Sequence, residues 1–225
     1  MLQFFAPRGP NNRPMQIPSA YRETTRWQPR IGDAFPKFAV ATTEGDRNFA
    51  EWAKDTWTYF FSQPAAYSPI CTAELIDFGK AAPIFRKHGI QLMSLSGASV
   101  QDQQAWRKEI SGTHGVKVEF PGASDPKLKL AKCFGALHPK EAQDMMIRRS
   151  FVIGPDLCVR AIMEYPINAA RSSKDALNLI RQLQDPRIGP KVSTPSPPDR
   201  DQGAIIVPRR PIGRKTGNWD TAAVG

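Results

Sequence analysis

A strand, a helix and a second strand follow one another in the middle of the chain, and this order constrains the fold more than any other feature. The run TWTYFF (56–61) is short, apolar and rich in residues that favour β structure. Apolar residues recur every three or four positions from Pro69 to about Lys87, which predicts a helix that Pro83 should kink. The run IQLMSLS (90–96) predicts a second buried strand. Two strands joined through a helix pair in parallel, with a right-handed crossover.

The remaining predicted elements add to this unit on its C-terminal side. Ser99 begins a second helix with a capping pattern, and LKLAKCFGAL (128–137) predicts a short third one. RSFVIG (149–154) and CVRAIMEY (158–165) predict a hairpin around a Gly-Pro-Asp turn, and a last helix starts at Ser172. The order β-α-β-α, an irregular stretch, then β-β-α is typical of an α/β protein with a thioredoxin-like fold, in which helices flank a central mixed sheet.

The placement of proline divides the chain into three parts. The 225 residues include 21 prolines, which concentrate near the two ends. We predict an extended N-terminal arm (1–30), a thioredoxin-like domain (31–184), and a small C-terminal extension with a basic tail (185–225). Within that extension, AIIVP (204–208) is a short segment that favours β structure.

The chain is strongly basic, with a net charge of +10, but its charge pattern argues against a nucleic-acid partner. Basic residues are divided between the two ends, and no recognition motif accompanies them. No apolar run approaches the roughly 20 residues that a transmembrane helix needs, so we expect no membrane partner. The first residues also lack the order of segments that marks a secretory signal.

The three cysteines, Cys71, Cys133 and Cys158, lie far apart and form no CxxC pair. An odd number at this spacing argues against a disulfide framework and against a zinc site. The three histidines show no metal-ligand spacing either, so we predict no metal and no bound cofactor. Free thiols indicate a reducing compartment, and we expect a cytoplasmic protein.

Cys71 differs from the other two cysteines because of where the pattern places it. It comes after a predicted strand and a short proline-containing loop, at the start of a predicted helix. The N-terminus of a helix carries partial positive charge and unpaired N–H groups, which favour a thiolate. Ser68, three residues earlier, can supply a hydroxyl hydrogen bond. Cys133 and Cys158 lie in apolar elements, and we interpret both as buried structural thiols.

The sequence around Cys71 and several other segments resemble one known family. The segment PAAYSPIC (64–71) has the pattern P-x-x-x-(S/T)-x-x-C of the peroxiredoxins. The resemblance covers most of the chain and is closest to the one-cysteine subfamily. Further similar segments occur in the family's order: IGDAFPKF (31–38), SVQDQQAW (99–106), RRSFVIGPD (148–156), EYPINAAR (164–171) and the tail around AIIVP (204–208).

This resemblance implies an activity and partners. Peroxiredoxins are thiol-specific peroxidases that reduce hydrogen peroxide and organic hydroperoxides through a peroxidatic cysteine. In this chain that residue would be Cys71, which would pass through sulfenic acid and be restored by an external thiol of the glutathione or thioredoxin type. The resemblance also implies a homodimer or a larger ring.

The resemblance places two residues of the loop before Cys71 in the same site. Ser68 would hydrogen-bond the bound peroxide and the thiolate, and Pro64 would shield the thiolate from water. One position departs from the family, because Gln63 stands directly before Pro64, where one-cysteine members usually have histidine. An amide forms hydrogen bonds but does not titrate, so the departure leaves open the route of reduction and the tuning of the thiol.

Three charged residues complete the site that the resemblance implies. Arg148 corresponds to the family's active-site arginine, and it would favour the thiolate and stabilise charge that develops on the peroxide oxygens. Arg171 matches a second arginine of the family, and Glu74 matches the carboxylate that orients both. The neighbouring Arg149 should point to the opposite face of the sheet, because side chains alternate along a strand.

Two other functions are compatible with parts of the sequence. A thiol-disulfide oxidoreductase could have the same fold, but that chemistry normally uses a C-x-x-C pair, whereas Thr-Ala-Glu follows Cys71. A non-enzymatic role, as a basic scaffold or a chaperone-like oligomer, would account for the basic ends of the chain.

Overall fold

The computed structural model describes residues 28–137 and 145–187. In these ranges the strands are β1 (Ala39–Thr42), β2 (Gly45–Asn48), β3 (Trp57–Gln63), β4 (Ile90–Ser96), β5 (Gly122–Ser124), β6 (Arg148–Ile153) and β7 (Val159–Tyr165). The helices are α1 (Phe49–Ala53), α2 (Pro69–Lys87), α3 (Val100–His114), α4 (Lys129–Cys133) and α5 (Ser173–Gln184).

All seven strands of the described ranges form one mixed sheet, in the order β2-β1-β5-β4-β3-β6-β7. The central strand β3 pairs in parallel with β4, its successor across α2, as the strand-helix-strand order predicts. On its other side β3 pairs antiparallel with β6, which continues into the hairpin with β7. The predicted α/β architecture is therefore confirmed.

The structure also contains four elements that the sequence did not predict: β1, β2, α1 and β5. The strand β2 (GDRN) is polar and lies at the edge of the sheet, and β5 consists of three small residues. Neither strand shows the alternation of apolar and polar residues that would distinguish it from a loop. By contrast, α2 forms where predicted and is a single helix that continues through Pro83.

The helix predicted over 128–137 is wrong in its length, since α4 has only five residues. Leu128, directly before it, has a φ of 52°, and Gly135, shortly after it, has a φ of 64°. Left-handed residues cannot be part of a right-handed helix, so these two positions confine α4. The apolar residues beyond α4, such as Phe134, are buried although they belong to an irregular segment.

Alternation of side chains along β3 divides the core into two layers. Phe60 belongs to the layer that we call the phenylalanine cluster, whereas Tyr59 and Phe61 face the opposite layer. Cys71 belongs to that second layer, together with apolar side chains of α2 and α3. The predicted reactive cysteine therefore lies on the α2–α3 side of the sheet. The phenylalanine cluster comprises Phe35, Phe38, Phe49, Phe60, Phe134 and Phe151.

Most of the predicted N-terminal arm (1–30) and C-terminal extension (185–225), including the segment 204–208, lies outside the described residues, so the three-part division stays a prediction. The helix α5 ends at Gln184, the last residue of the predicted domain. Within the described ranges, no helix combines the length and the apolar character that crossing a membrane requires.

Candidate active site

Cys71 is the third residue of α2, which begins at Pro69. Ser68 caps this helix, because its Oγ accepts a hydrogen bond from the Cys71 backbone N–H at 3.3 Å. Proline fits the first position since an N–H there would have no acceptor within the helix. The Cys71 side chain is 0% exposed. The sulfur thus lies in a buried layer, beside the positive end of a helix.

The loop from Pro64 to Ser68 is fixed against α3. Pro64 is buried at the start of this loop. Tyr67 has a φ of 62°, a conformation that is uncommon outside glycine and costs about 1–3 kcal/mol. Its hydroxyl donates to the Asp102 carbonyl at 3.2 Å, and its ring centroid lies 5.9 Å from that of Trp106. These contacts hold a strained backbone directly before the cap of α2.

Glu74, one helical turn after Cys71, binds both of the arginines that the sequence singled out. Arg148 donates from Nη1 to Glu74 Oε2 at 2.6 Å. Arg171 donates to Glu74 from its backbone N–H at 2.7 Å, from Nε at 2.9 Å and from Nη2 at 2.8 Å. Each of the three side chains is at most 1% exposed. Residues three apart share a face of a helix, so this triad lies on the face of α2 that carries Cys71.

The Glu74–Arg148–Arg171 triad contains two positive charges and one negative charge. A net positive charge therefore remains in a buried layer, where an uncompensated ion is costly. The cost of such a charge falls when a further anion lies near it. The same unbalanced charge can stabilise negative charge on an oxygen atom during a reaction at the sulfur.

Arg171 is anchored by contacts beyond Glu74. It donates to the Ser62 carbonyl at 2.7 Å and to Ser150 Oγ at 3.1 Å, and its guanidinium lies 5.1 Å from the centroid of the Phe61 ring. Tyr59 donates its hydroxyl to the same Ser150 Oγ at 3.0 Å. Burial raises the pKa of Tyr59 to about 12, so the phenol remains a protonated donor at neutral pH.

Sequence reasoning missed Tyr59 and Ser150, which support Arg171 through one hydroxyl. From the sequence, Tyr59 is only one of several residues that favour β structure in an apolar strand. The available signal was Ser150, a polar residue inside the apolar run RSFVIG, because a buried hydroxyl needs a hydrogen-bond partner. Its partners could not be named, since they depend on how β3 and β6 align.

The two adjacent arginines of β6 point to opposite faces, as strand alternation predicts. Arg148 reaches the triad and also donates from Nε to the Ile167 carbonyl at 3.1 Å. Arg149 donates from Nη1 to the Gly135 carbonyl at 3.0 Å and to Glu164 at 2.9 Å. Of these two neighbours, only Arg148 therefore contributes its charge to the layer that contains Cys71.

The other two cysteines lie away from Cys71, one behind the sheet and one near the opposite end of it. Cys133 packs against the phenylalanine cluster on the opposite face, and burial raises its pKa to about 11. Cys158 directly precedes β7, near Ile153, whose partner Thr58 is at the start of β3. Burial raises the pKa of Cys158 as well. The start of β3 is about 16 Å from the end that leads to Cys71, at 3.3 Å per residue.

Five of the six residues that the resemblance singled out lie in or bind the first turns of α2, and the sixth, Pro64, lies in the loop before that helix. Ser68 caps the helix of Cys71, Pro64 is buried at the end of β3, and the triad lies one turn along α2. In the two described ranges, no group of three or more His, Cys, Asp or Glu side chains is placed to hold a metal ion. The arrangement suits chemistry in which a cysteine sulfur is the reacting atom.

On the activity that the resemblance implies, lysine in place of Arg148 is expected to slow the reaction with hydrogen peroxide about a hundredfold. Lysine keeps the charge but cannot donate to Glu74 and Ile167 from a rigid planar fork, so the charge is no longer held in place. Stopped-flow measurement of the second-order rate constant tests this. The matched control is Arg149→Lys on the other face, which should stay within about twofold of the original protein. An unchanged rate in Arg148→Lys would show that this guanidinium does not act on the reacting atoms.

Comparisons with known proteins identify the family. The AhpC/TSA family matches residues 31–162 of the chain. A peroxiredoxin of Aquifex aeolicus is 33% identical over 156 residues, which make up 69% of this chain and 70% of that protein. The chain belongs to the peroxiredoxin family. As a peroxiredoxin it is a thiol-dependent peroxidase, an oxidoreductase that acts on peroxides.

Relatives named as one-cysteine peroxiredoxins show a similar level of identity. A 1-Cys peroxiredoxin of Dictyostelium discoideum is 34% identical over 181 residues, which make up 80% of this chain and 74% of that protein. The solved structure of a yeast mitochondrial 1-Cys peroxiredoxin superposes with a TM-score of 0.65 at 31% identity, covering 69% of this chain and 76% of that one. The thioredoxin-like fold expected for this peroxiredoxin is thereby confirmed.

Proposed function

We propose that Cys71 is the peroxidatic cysteine of this peroxiredoxin. The observation that supports this most strongly is the position of the thiol, buried at the N-terminus of α2 and one turn before the carboxylate that holds Arg148 and Arg171. Ser68 supplies a hydroxyl at the start of that turn. Cys133 and Cys158 lack such surroundings, and their raised pKa values keep both thiols protonated at neutral pH.

In the proposed reaction the Cys71 thiolate attacks one oxygen of the peroxide, so that an S–O bond forms while the O–O bond breaks. The sulfur is oxidised to sulfenic acid and the peroxide is reduced. The departing oxygen gains a proton and leaves as water or an alcohol. Negative charge moves from sulfur to this departing oxygen, where Arg148 and the Ser68 hydroxyl would stabilise it. Alignment of the O–O bond with the sulfur supplies a further part of the acceleration.

We infer a one-cysteine cycle in which an external thiol restores Cys71. The positions of the two other cysteines support this, because one lies behind the sheet and the other near its opposite end. The solved yeast relative has a thiol resolving mechanism via glutathione and thioredoxin systems. A reductant of the glutathione or thioredoxin type is therefore the proposed partner here, acting on a homodimer or a larger ring.

We also propose a cytoplasmic location. All three cysteines are free thiols, which persist in a reducing compartment. The competing interpretation as a thiol-disulfide oxidoreductase is not favoured, because the first turn of α2 contains one cysteine and no neighbouring thiol to form a disulfide with it.

The direct test is stopped-flow reaction of the reduced protein with hydrogen peroxide and with an organic hydroperoxide, followed by mass spectrometry. After one equivalent of peroxide, Cys71 is expected to carry one added oxygen, with Cys133 and Cys158 unchanged. Oxidation that appears first at either of the other two cysteines would contradict the proposal.

The one-cysteine cycle has its own test in the Cys133→Ser, Cys158→Ser double variant. This variant is expected to keep the full rate of peroxide turnover with an external thiol, because neither removed thiol lies near Cys71. A variant that reacts once in a rapid burst but loses turnover would show that one of these cysteines resolves the sulfenic acid.

A further inference from the structure

Gln63 has a buried side-chain amide without a hydrogen-bond partner. The residue is 1% exposed, and both Nε2 and Oε1 are shielded and unpaired among the described residues. Most buried polar atoms in folded proteins have partners, and an unpaired amide costs free energy. Gln103, which is equally buried, shows the usual case, because its Nε2 donates to the Ala98 and Ala123 carbonyls at 3.1 Å.

The Gln63 amide lies on the Cys71 side of the sheet. Gln63 is two residues after Phe61 in β3 and therefore faces the same layer. It is also the last residue of β3, at the end of this strand from which the chain turns toward the N-terminus of α2. The residue opposite Gln63 on β4 is Ser96, whose Oγ accepts a hydrogen bond from the Ala98 N–H at 3.2 Å.

The other neighbouring strand offers Gln63 no partner either. The ladder between β3 and β6 pairs residues only as far as Phe61. Beyond that point the Ser62 hydroxyl bridges the strands, donating to the Ile147 carbonyl at 2.6 Å and accepting from the Arg149 N–H at 2.9 Å. The charged groups of the triad come from α2, from β6 and from the segment before α5, and they bind one another. Within the described part of the chain, the amide is thus left without a partner, on the side of the sheet that contains Cys71 and at the end of β3 that leads to α2.

We propose that Gln63 serves the oxidised state of the enzyme, as the hydrogen-bond partner of the oxygen that Cys71 acquires. The Nε2–H donates to the sulfenate oxygen, and Oε1 accepts from the hydroxyl when the sulfenic acid is protonated. This inference rests on the proposed function, since it requires sulfenic acid at Cys71. It gives an orphan amide of the reduced enzyme a partner that appears only after the first step.

The chemistry determines which step Gln63 affects. During the first step, charge develops on the departing oxygen, whereas the transferred oxygen becomes charged only when the sulfenic acid loses its proton. A second peroxide would then oxidise the sulfenate to sulfinate, forming a second S–O bond and releasing water from the broken O–O bond. A donor on the sulfenate oxygen withdraws charge from the sulfur and slows this second attack.

The test compares Gln63→Leu with the original protein, without added thiol, over a range of hydrogen peroxide concentrations. Mass spectrometry measures the fraction of Cys71 sulfinate. We expect Gln63→Leu to reach half conversion at about a tenfold lower peroxide concentration, the effect of losing one hydrogen bond to a charged group. The rate constant of the first oxidation should change by less than about threefold. Equal sulfinate formation in both proteins would overturn the inference.

Two further variants separate this role from a structural one. Reduced Gln63→Leu should melt no lower than the original protein, because it removes an unpaired buried amide, whereas Gln103→Leu should melt lower and leave sulfinate formation unchanged. Gln63→His should restore resistance to sulfinate formation and add a pH dependence near pH 6.5, where imidazole titrates. A lowered melting temperature in reduced Gln63→Leu, or no rescue by histidine, would overturn the inference. If the original protein forms no sulfenic acid at Cys71, the proposed function itself fails.

Discussion

Replacement of Cys71 by serine is expected to abolish rapid peroxide reduction, with the rate constant for hydrogen peroxide falling by at least about a thousandfold. Serine fits the 0% exposed position, and Ser68 can still cap the same backbone N–H. A serine hydroxyl, however, remains protonated beside a helix N-terminus and two arginines, and it is a far weaker nucleophile than a thiolate. Stopped-flow mixing with hydrogen peroxide measures the change, with circular dichroism to show that the variant is folded.

Cys133→Ser is the matched control for Cys71→Ser. It removes a thiol whose pKa burial raises to about 11, on the far side of the sheet, and it should react with peroxide as fast as the original protein. The assignment of Cys71 is wrong if the serine variant at position 71 keeps rapid peroxide reduction, or if the control loses it.

Replacement of Glu74 by glutamine is expected to lower the free energy of unfolding by about 3–5 kcal/mol, the usual cost of removing one partner from a buried ion pair. Glutamine has the same shape but deprives the buried cations Arg148 and Arg171 of the carboxylate that both bind. Urea denaturation followed by circular dichroism measures the loss. The displaced guanidinium of Arg148 should also reduce the rate of peroxide reduction in whatever fraction stays folded.

Glu119→Gln provides the control for the charge change alone. Glu119 binds Arg86 at 2.9 Å, but both side chains are more than half exposed. A surface ion pair contributes at most about 1 kcal/mol, so the free energy of unfolding of this variant should be close to that of the original protein. If both variants lost a similar free energy of unfolding, burial would not be the reason that the triad stabilises the fold.

The sequence was most informative where the structure is local. The strand β3, the loop with Pro64 and Ser68, and the start of α2 form one continuous segment, so residue pattern and capping chemistry predicted the place of Cys71. The family resemblance then singled out Glu74, Arg148 and Arg171, and the structure brings these three side chains together.

What the sequence could not predict depends on contacts between distant segments. Tyr59 and Ser150 meet because β3 and β6 align in one register, which the residue pattern of a single strand does not contain. The unpaired state of the Gln63 amide likewise follows from what its neighbours on other strands already bind. Short strands such as β5 were missed because pairing, rather than propensity, determines them.

The triad has a consequence for the synthesis and folding of the enzyme. Glu74 binds partners that follow it by 74 and 97 residues in the chain. Contacts of such long range form late in folding, because the intervening loops must close first. While a ribosome is still making the chain, Cys71 emerges before either arginine exists. On the proposed role of Cys71, a nascent chain therefore contains an ordinary cysteine, and sensitivity to peroxide arises only once Arg148 and Arg171 have been made and bind Glu74.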